Sequence, residues 1–294
     1  MIGLYRTSED ADRYLEVVVA YETLTKEING SDWLYHILEL MGETIIDKQE
    51  SFFESGNYTD VLTKKTFGDE TMISRFKVIK DSDEESGGAN LFLIKATCHE
   101  KNYIALHEDM LQSISWLFII NGNEWKLAEI LKSITIKIPD NLYFYYPGSW
   151  SVRKIDIQME NFSHYVLSRE IERKPKTMMN LFFMILNKDD TVQFVFETMY
   201  KRIAKIASTT IPTLVKVDNV FNKHIDELWH GEAQATTEDN LSHTVLNVYV
   251  GKTGGVWFYA EAISPRQEDS FYIWAVNKRA LEIVVNSLNN SDLI

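Results

Sequence analysis

The sequence predicts an α+β fold, and three observations predict it. Apolar residues recur at helical spacing from Tyr14 to Ile45, and His243–Val250, Val256–Ser264 and Phe271–Val276 read as strands. Between these ends, helical and stranded stretches mix without the βαβ alternation of a doubly wound sheet.

Taken in order, Ser8 followed by Glu9, Asp10 and Asp12 gives an N-cap and an acidic first turn. Tyr14, Val17, Val18, Tyr21, Leu24 and Ile28 then share one helical face. Asn29-Gly30 ends that helix, and Ser31-Asp32 starts a second carrying Leu34, Ile37, Leu38, Met41 and Ile45. So short a connection predicts an antiparallel helical hairpin. Met72–Lys80 alternates and Asn90–Cys98 is nearly continuously apolar, which predicts paired strands. The acidic, Gly-rich Asp81–Ala89 between them reads as a long exposed hairpin loop. Alternatively it marks a boundary between an N-terminal region, 1–85, and a mixed body, 90–294.

A helical stripe runs over Tyr103–Asn121, and strands follow at Ile134–Ile138, Leu142–Tyr146 and Val152–Met159. Tyr146-Pro147-Gly148-Ser149 places Pro and Gly as a type II turn requires. Pro175–His230 reads as helical, most clearly over Thr191–Ala207, where Val192, Val195, Phe196, Met199, Ile203 and Ile206 form the buried face. The expected end is a three-strand meander (His243–Val250, Val256–Ser264, Phe271–Val276) and a last helix from Asn277 to Leu288.

Charge is uneven. The chain of 294 residues has 30 Lys and Arg against 43 Asp and Glu, net −13. Yet Ser151–Lys216 holds 11 basic residues against 7 acidic ones. Such asymmetry steers an anionic partner or docks an acidic surface. The anion- or nucleic-acid-binding candidates are Arg169, Arg173, Lys174, Lys176, Lys201, Arg202 and Lys205. On a helix, Lys201 and Lys205 stand one turn apart on the outer face, with Glu197 one turn before Lys201.

Catalytic signals are sparse. Asp156, Glu172 and Lys174 have the residue types of a metal-dependent nuclease core, acids for magnesium and a lysine for water. Glu124-Trp-Lys126 is a weaker fragment of the same kind. Glu227 and His230 form a Glu-x-x-His unit that would project from one helical face, but no second such unit exists in the chain. Gly251-Lys252-Thr253-Gly254-Gly255 lacks the earlier glycine and the following helix of a phosphate loop, and reads as a turn. Cys98 ends an apolar run and reads as a core thiol. Tyr143–Trp150 is aromatic enough for a stacking platform, though a strand packed on both faces explains it as well.

A single cysteine excludes an intramolecular disulfide and fits a reducing compartment. The N-terminus has no signal-peptide pattern, and no apolar run approaches membrane-spanning length. The expectation is a soluble, cytosolic, non-enzymatic interaction or regulatory protein without a cofactor. It would have a protein partner and self-associate. Frequent Asn, Ile and Lys suit AT-rich bacterial, phage or viral genomes and suggest an accessory role in phage–host conflict. The alternative is a nucleic-acid-binding protein using residues 151–216.

Overall fold

The run Val17-Val18-Val19 forms strand rather than helix, and this changes the fold class. The computed structural model describes residues 3–6, 14–53, 56–83, 88–115, 127–138, 142–157, 161–171, 174–186, 191–203, 208–209, 211–218, 220, 222–236 and 243–290. In place of the first expected helix stand β1 (Gly3–Arg6) and β2 (Glu16–Leu24). Three consecutive β-branched side chains lose χ1 freedom on a helix and fit a pleated surface. Here they pair with Ala96, Lys95 and Ile94. Only the second helix forms, as α1 (Gly30–Leu40), so there is no N-terminal helical hairpin among the described residues. The predicted α+β fold gives way to a mostly antiparallel β-sheet fold with few, short helices.

The chain divides into two units, 1–129 and 130–294. In the first, α1 is followed by β3 (Thr44–Phe53), β4 (Gly56–Phe67), β5 (Glu70–Asp83), β6 (Gly88–His99) and α2 (Tyr103–Ser115). The six strands form one sheet in the order β1-β2-β6-β5-β4-β3. β5 and β6 pair as expected, but the ladder runs on through Asp81–Asp83 and Gly88–Ala89, with Ser82 and Ala89 buried. These residues are strand and not the long exposed loop expected, and residues 84–87 lie outside those described. Side chains alternate across the sheet. On one face α1 packs against β4 and β5, burying Trp33, Leu34 and Leu38. On the other, α2 closes a cluster of Leu15, Ile94, Ala96, Cys98, Met110 and Ile114. Residues 127–129 are tied into the unit by charge. The buried Glu27 carboxylate pairs with Lys80 and accepts the Ala128 N–H at 2.7 Å. Glu129 in turn accepts the Glu27 N–H at 3.2 Å.

The second unit contains β7 (Leu131–Ile136), β8 (Leu142–Pro147), β9 (Ser151–Ile155), β10 (Phe162–Ile171), β11 (Lys174–Met184), α3 (Val192–Ile203), β12 (Ser208–Thr209), β13 (Val215–Lys216), β14 (Glu227–Thr236), β15 (His243–Thr253), β16 (Val256–Pro265), α4 (Phe271–Asn286) and β17 (Asn289–Asn290). Its main sheet has the order β12-β14-β15-β16-β11-β10-β9, with β13 also on β14, and β17-β8-β7 form a small second sheet. One face of the main sheet packs on α3 through Phe182, Leu246, Val248, Tyr259, Val195 and Phe196. The other packs on α4 and β8 through Leu181, Phe183, Phe258, Phe144, Leu281 and Val284.

Two further expectations are corrected here. Among the described residues of the supposed helical region Pro175–His230, only α3 is helical, while β11 and β14 are strands. Phe271–Val276 opens α4 instead of forming a strand, because Ala275, Val276, Ala280, Leu281, Val284 and Val285 continue one helical stripe through it. The meander does exist, but β14, β15 and β16 make it. Gly254 (φ 52°) and Gly255 (φ 83°) link β15 to β16, where a two-residue hairpin turn needs two positive φ values.

Candidate functional site

The sequence candidates occupy diverse environments. Arg169 is buried at 7% exposure on β10, its guanidinium 5.9 Å from the Trp150 ring centre. Lys201 is exposed on α3. Glu172, Arg173 and Lys205 lie outside the described residues, as do the side chains of Lys174, Lys176 and Arg202 and the triplet Glu124–Lys126. Asp156 is exposed just beyond β9. Glu227 and His230 lie on strand β14, so at i and i+3 they point to opposite faces and do not converge as they would on a helix. His230 stacks on Tyr249 at 4.5 Å, with its Nε2 3.3 Å from Asn247 Oδ1.

The remaining motifs resolve into structure. Cys98 is fully buried 3.5 Å from Met110 Sδ, and burial pushes its thiol up to about 11, which keeps it neutral. Phe144 of the aromatic strand stacks on Phe183 at 6.2 Å in the core. Tyr143 and Tyr145, on the opposite side, meet edge to face at 83°, so they offer no flat platform. Lys252 lies over the Trp257 ring, and the turn that follows it leads into a strand.

Two arrangements emerge that the sequence did not indicate. The first is a buried polar row in the second unit. Sheet register sets Asn180 beside Glu261. Asn180 Nδ2 donates to Glu261 Oε1 at 2.8 Å, and the Tyr259 hydroxyl donates to Oε2 at 2.9 Å. Asn180 Oδ1 lies 3.1 Å from His164 Nε2, and that imidazole stacks on Phe182 at 4.2 Å. Burial among apolar side chains pushes the Glu261 carboxyl up to about 7, against the lowering effect of its two hydrogen bonds. The same burial, and the carboxyl beside it, hold the Tyr259 hydroxyl well above its usual range. Glu261 is 3% exposed and Tyr259 is fully buried in the cluster that packs on α3, whereas Asn180 and His164 are half-buried.

The second arrangement is exposed, at one corner of the first unit. Helix α1 ends in a Schellman motif: Gly42 N–H donates to Glu39 O and Glu43 N–H to Leu38 O, both at 2.9 Å, with Gly42 at φ 66°. The motif turns Glu43 inward, where its carboxylate accepts from Thr63 Oγ1 at 2.6 Å and meets Lys95 at 3.4 Å. Leu40 and Met41 are left facing outward, at 70% and 39% exposure. Lys65 Nζ donates to the Met41 carbonyl and lies 4.4 Å from the Phe67 ring centre, which brings Phe67, 57% exposed, beside them. Ile45 and Ile46, also exposed, follow along the chain at a bulge where Ile46 has no opposite number on β4. Glu39, Asp47 and Asp69 are exposed around it.

The unit that carries this corner also carries the charge. Residues 1–129 hold 12 Lys and Arg against 24 Asp and Glu, net −12, whereas residues 130–294 hold 18 against 19, net −1. The locally basic stretch from Ser151 to Lys216 therefore belongs to a nearly neutral unit. No helix of the described residues is long and apolar enough to cross a membrane.

No family model matches the chain, and no curated protein matches it at a significant level. Solved structures that align include cyanobacterial PsbP (CyanoP) from Synechocystis sp. PCC 6803, at 15% identity over 54% of this chain and 92% of that one, with a TM-score of 0.38. The immunity protein TplEi of the type VI secretion system of Pseudomonas aeruginosa aligns at 8% identity over 94% of each chain, with a TM-score of 0.25. A chain of the Tle4–Tli4 complex aligns at 8% identity over 94% of each, with a TM-score of 0.24. All three scores lie below the level that marks a shared fold.

Proposed function

We propose that this protein is a non-catalytic binding factor whose first unit recognises a cation-rich protein. One observation carries the reading: Met41 and Phe67 meet through Lys65, and Leu40, Ile45 and Ile46, within five residues of Met41 in the chain, are exposed as well, in a unit with net charge −12. Single exposed apolar residues are ordinary, but a contiguous set with a polar rim marks an interaction surface. An apolar centre supplies affinity and an anionic rim selects a cationic partner. The biological setting we propose is an accessory role in conflict between a host and its phages, which the residue usage of the chain favours.

The test compares the tagged full chain with Leu40→Asp and Phe67→Asp variants in pull-downs from source cells, after their melting curves are shown to match. A stoichiometric, cation-rich protein retained by the parent and lost by both variants is the expected result. Equal recovery with the variants, or no retained protein, overturns the proposal.

A further inference from the structure

We infer that the carbonyl end of α1 and the Phe67 ring form a binding subsite for a lysine ammonium of the partner, held in the free protein by the chain's own Lys65. This rests on the first unit being the recognition unit, and it names the group that is recognised. The Schellman motif closes the end of α1 on itself. The N–H groups of Met41, Gly42 and Glu43 donate to the carbonyls of Ile37, Glu39 and Leu38. The Met41 carbonyl lies beyond those three bonds and accepts from Lys65 Nζ. The same ammonium stands 4.4 Å from the Phe67 ring centre. A helix C-terminus is electronegative, and the face of an aromatic ring attracts a cation. α1 has no basic residue in its own last turn, so the cation comes from β4.

Two lysines serve this end of α1, and they are held differently. Lys95 meets the buried carboxylate of Glu43, a full opposite charge. Lys65 has no carboxylate partner among the described residues. A carbonyl oxygen and a ring that is 57% exposed hold it instead. Acids are nevertheless near in the chain. Glu39, two residues before Met41, and Asp69, two residues after Phe67, are exposed and have no ion pair among the described residues. Negative charge therefore exceeds the one cation present, and exposed contacts of this kind are weak. A partner's lysine makes the same two contacts once Lys65 swings into water. Its apolar stem covers the helix end where Leu40 and Met41 are exposed. Lys65 is thus a placeholder, and its own contacts define the group that fits.

The probe is a short capped peptide with one lysine between leucines, together with a twin in which norleucine replaces the lysine. Fluorescence anisotropy at low salt measures both against the full chain, Lys65→Met and Lys64→Met. Lys64→Met changes the net charge equally but removes the cation that pairs with Glu100. Lys65→Met should bind the lysine peptide about tenfold more tightly than the parent does, because no cation has to leave. It should also prefer that peptide to the norleucine twin, while Lys64→Met should bind as the parent does. Should Lys65→Met fail to fold, Lys65→Gln takes its place with the same expectation. No gain in the Lys65 variant, an equal gain in Lys64→Met, or no preference for lysine over norleucine overturns the subsite. If that happens while Leu40→Asp still abolishes partner recovery, recognition by the first unit stands and only the lysine subsite falls.

Discussion

Glu261→Gln should make the protein more stable at alkaline pH, and the size of the effect follows from where the carboxyl lies. In the fold its pKa is about 7, against an ordinary 4.5, because burial desolvates it more than the hydrogen bonds from Tyr259 and Asn180 compensate. Below an ordinary carboxyl pKa, both folded and unfolded chains hold the proton and the group adds no pH dependence. As pH rises further, the unfolded chain releases the proton first, so stability falls. Above about 7 the folded protein must also ionise Glu261, and the whole cost is present. Each pKa unit corresponds to about 1.4 kcal/mol, which gives ~3 kcal/mol at alkaline pH. Glutamine keeps the shape without the charge. Urea unfolding, followed by hydrogen exchange of the β11 and β16 amides, should give nearly equal stabilities for parent and variant near pH 4.5. The variant should gain ~3 kcal/mol near pH 8.5. Parallel pH profiles would show that Glu261 ionises without penalty and refute the reasoning.

Gly251→Ala should destabilise the second unit by about 1–3 kcal/mol in a melting experiment, since a Cβ there would lie 2.4 Å from Phe258 Cζ and 2.8 Å from the Glu227 carbonyl oxygen. Lys80→Met takes the cation from the buried Glu27 carboxylate and should cost the first unit about 3 kcal/mol, measured by urea denaturation. Cys98 should resist maleimide in the native protein at pH 8 and react at once in denaturant, because its thiol is fully buried and titrates at about 11. Rapid native labelling would contradict the packing of α2 on β6.

Much of the local structure could be read from the residues. Thr191–Ala207 has a clear helical stripe, Met72–Lys80 alternates and Asn90–Cys98 is a continuous apolar run; α3 forms within the first, and β5 and β6 form over the other two and extend beyond them. The errors came where two periods coexist. Tyr14, Val17, Val18, Tyr21 and Leu24 fit a helical stripe, yet Val17 to Val19 favour a strand, and a neighbour of matching register, β6, decides between the two. That neighbour lies far along the chain, beyond the reach of any window. The polar row was invisible for the same reason: Asn180 and Glu261 are separated by 81 positions and meet only through the pairing of β11 with β16. The corner left a partial trace. Met41-Gly42 is a helix-stop signal, and honouring it would have kept Ile45 out of the helix. The −12 of the first unit became countable only once the boundary at Glu129 was known.

The concentration of charge in one unit also has a kinetic consequence. A field of net −12 around residues 1–129 reaches partners before contact does, over a screening length of about 8 Å at physiological salt. Cationic partners are therefore drawn toward that unit during diffusion, and added salt lowers the rate of arrival. The residence time has a different origin. For a partner docked at the surface proposed above, desolvation of Leu40, Met41 and Phe67 is little affected by moderate salt, so its departure rate should stay nearly constant as arrival slows.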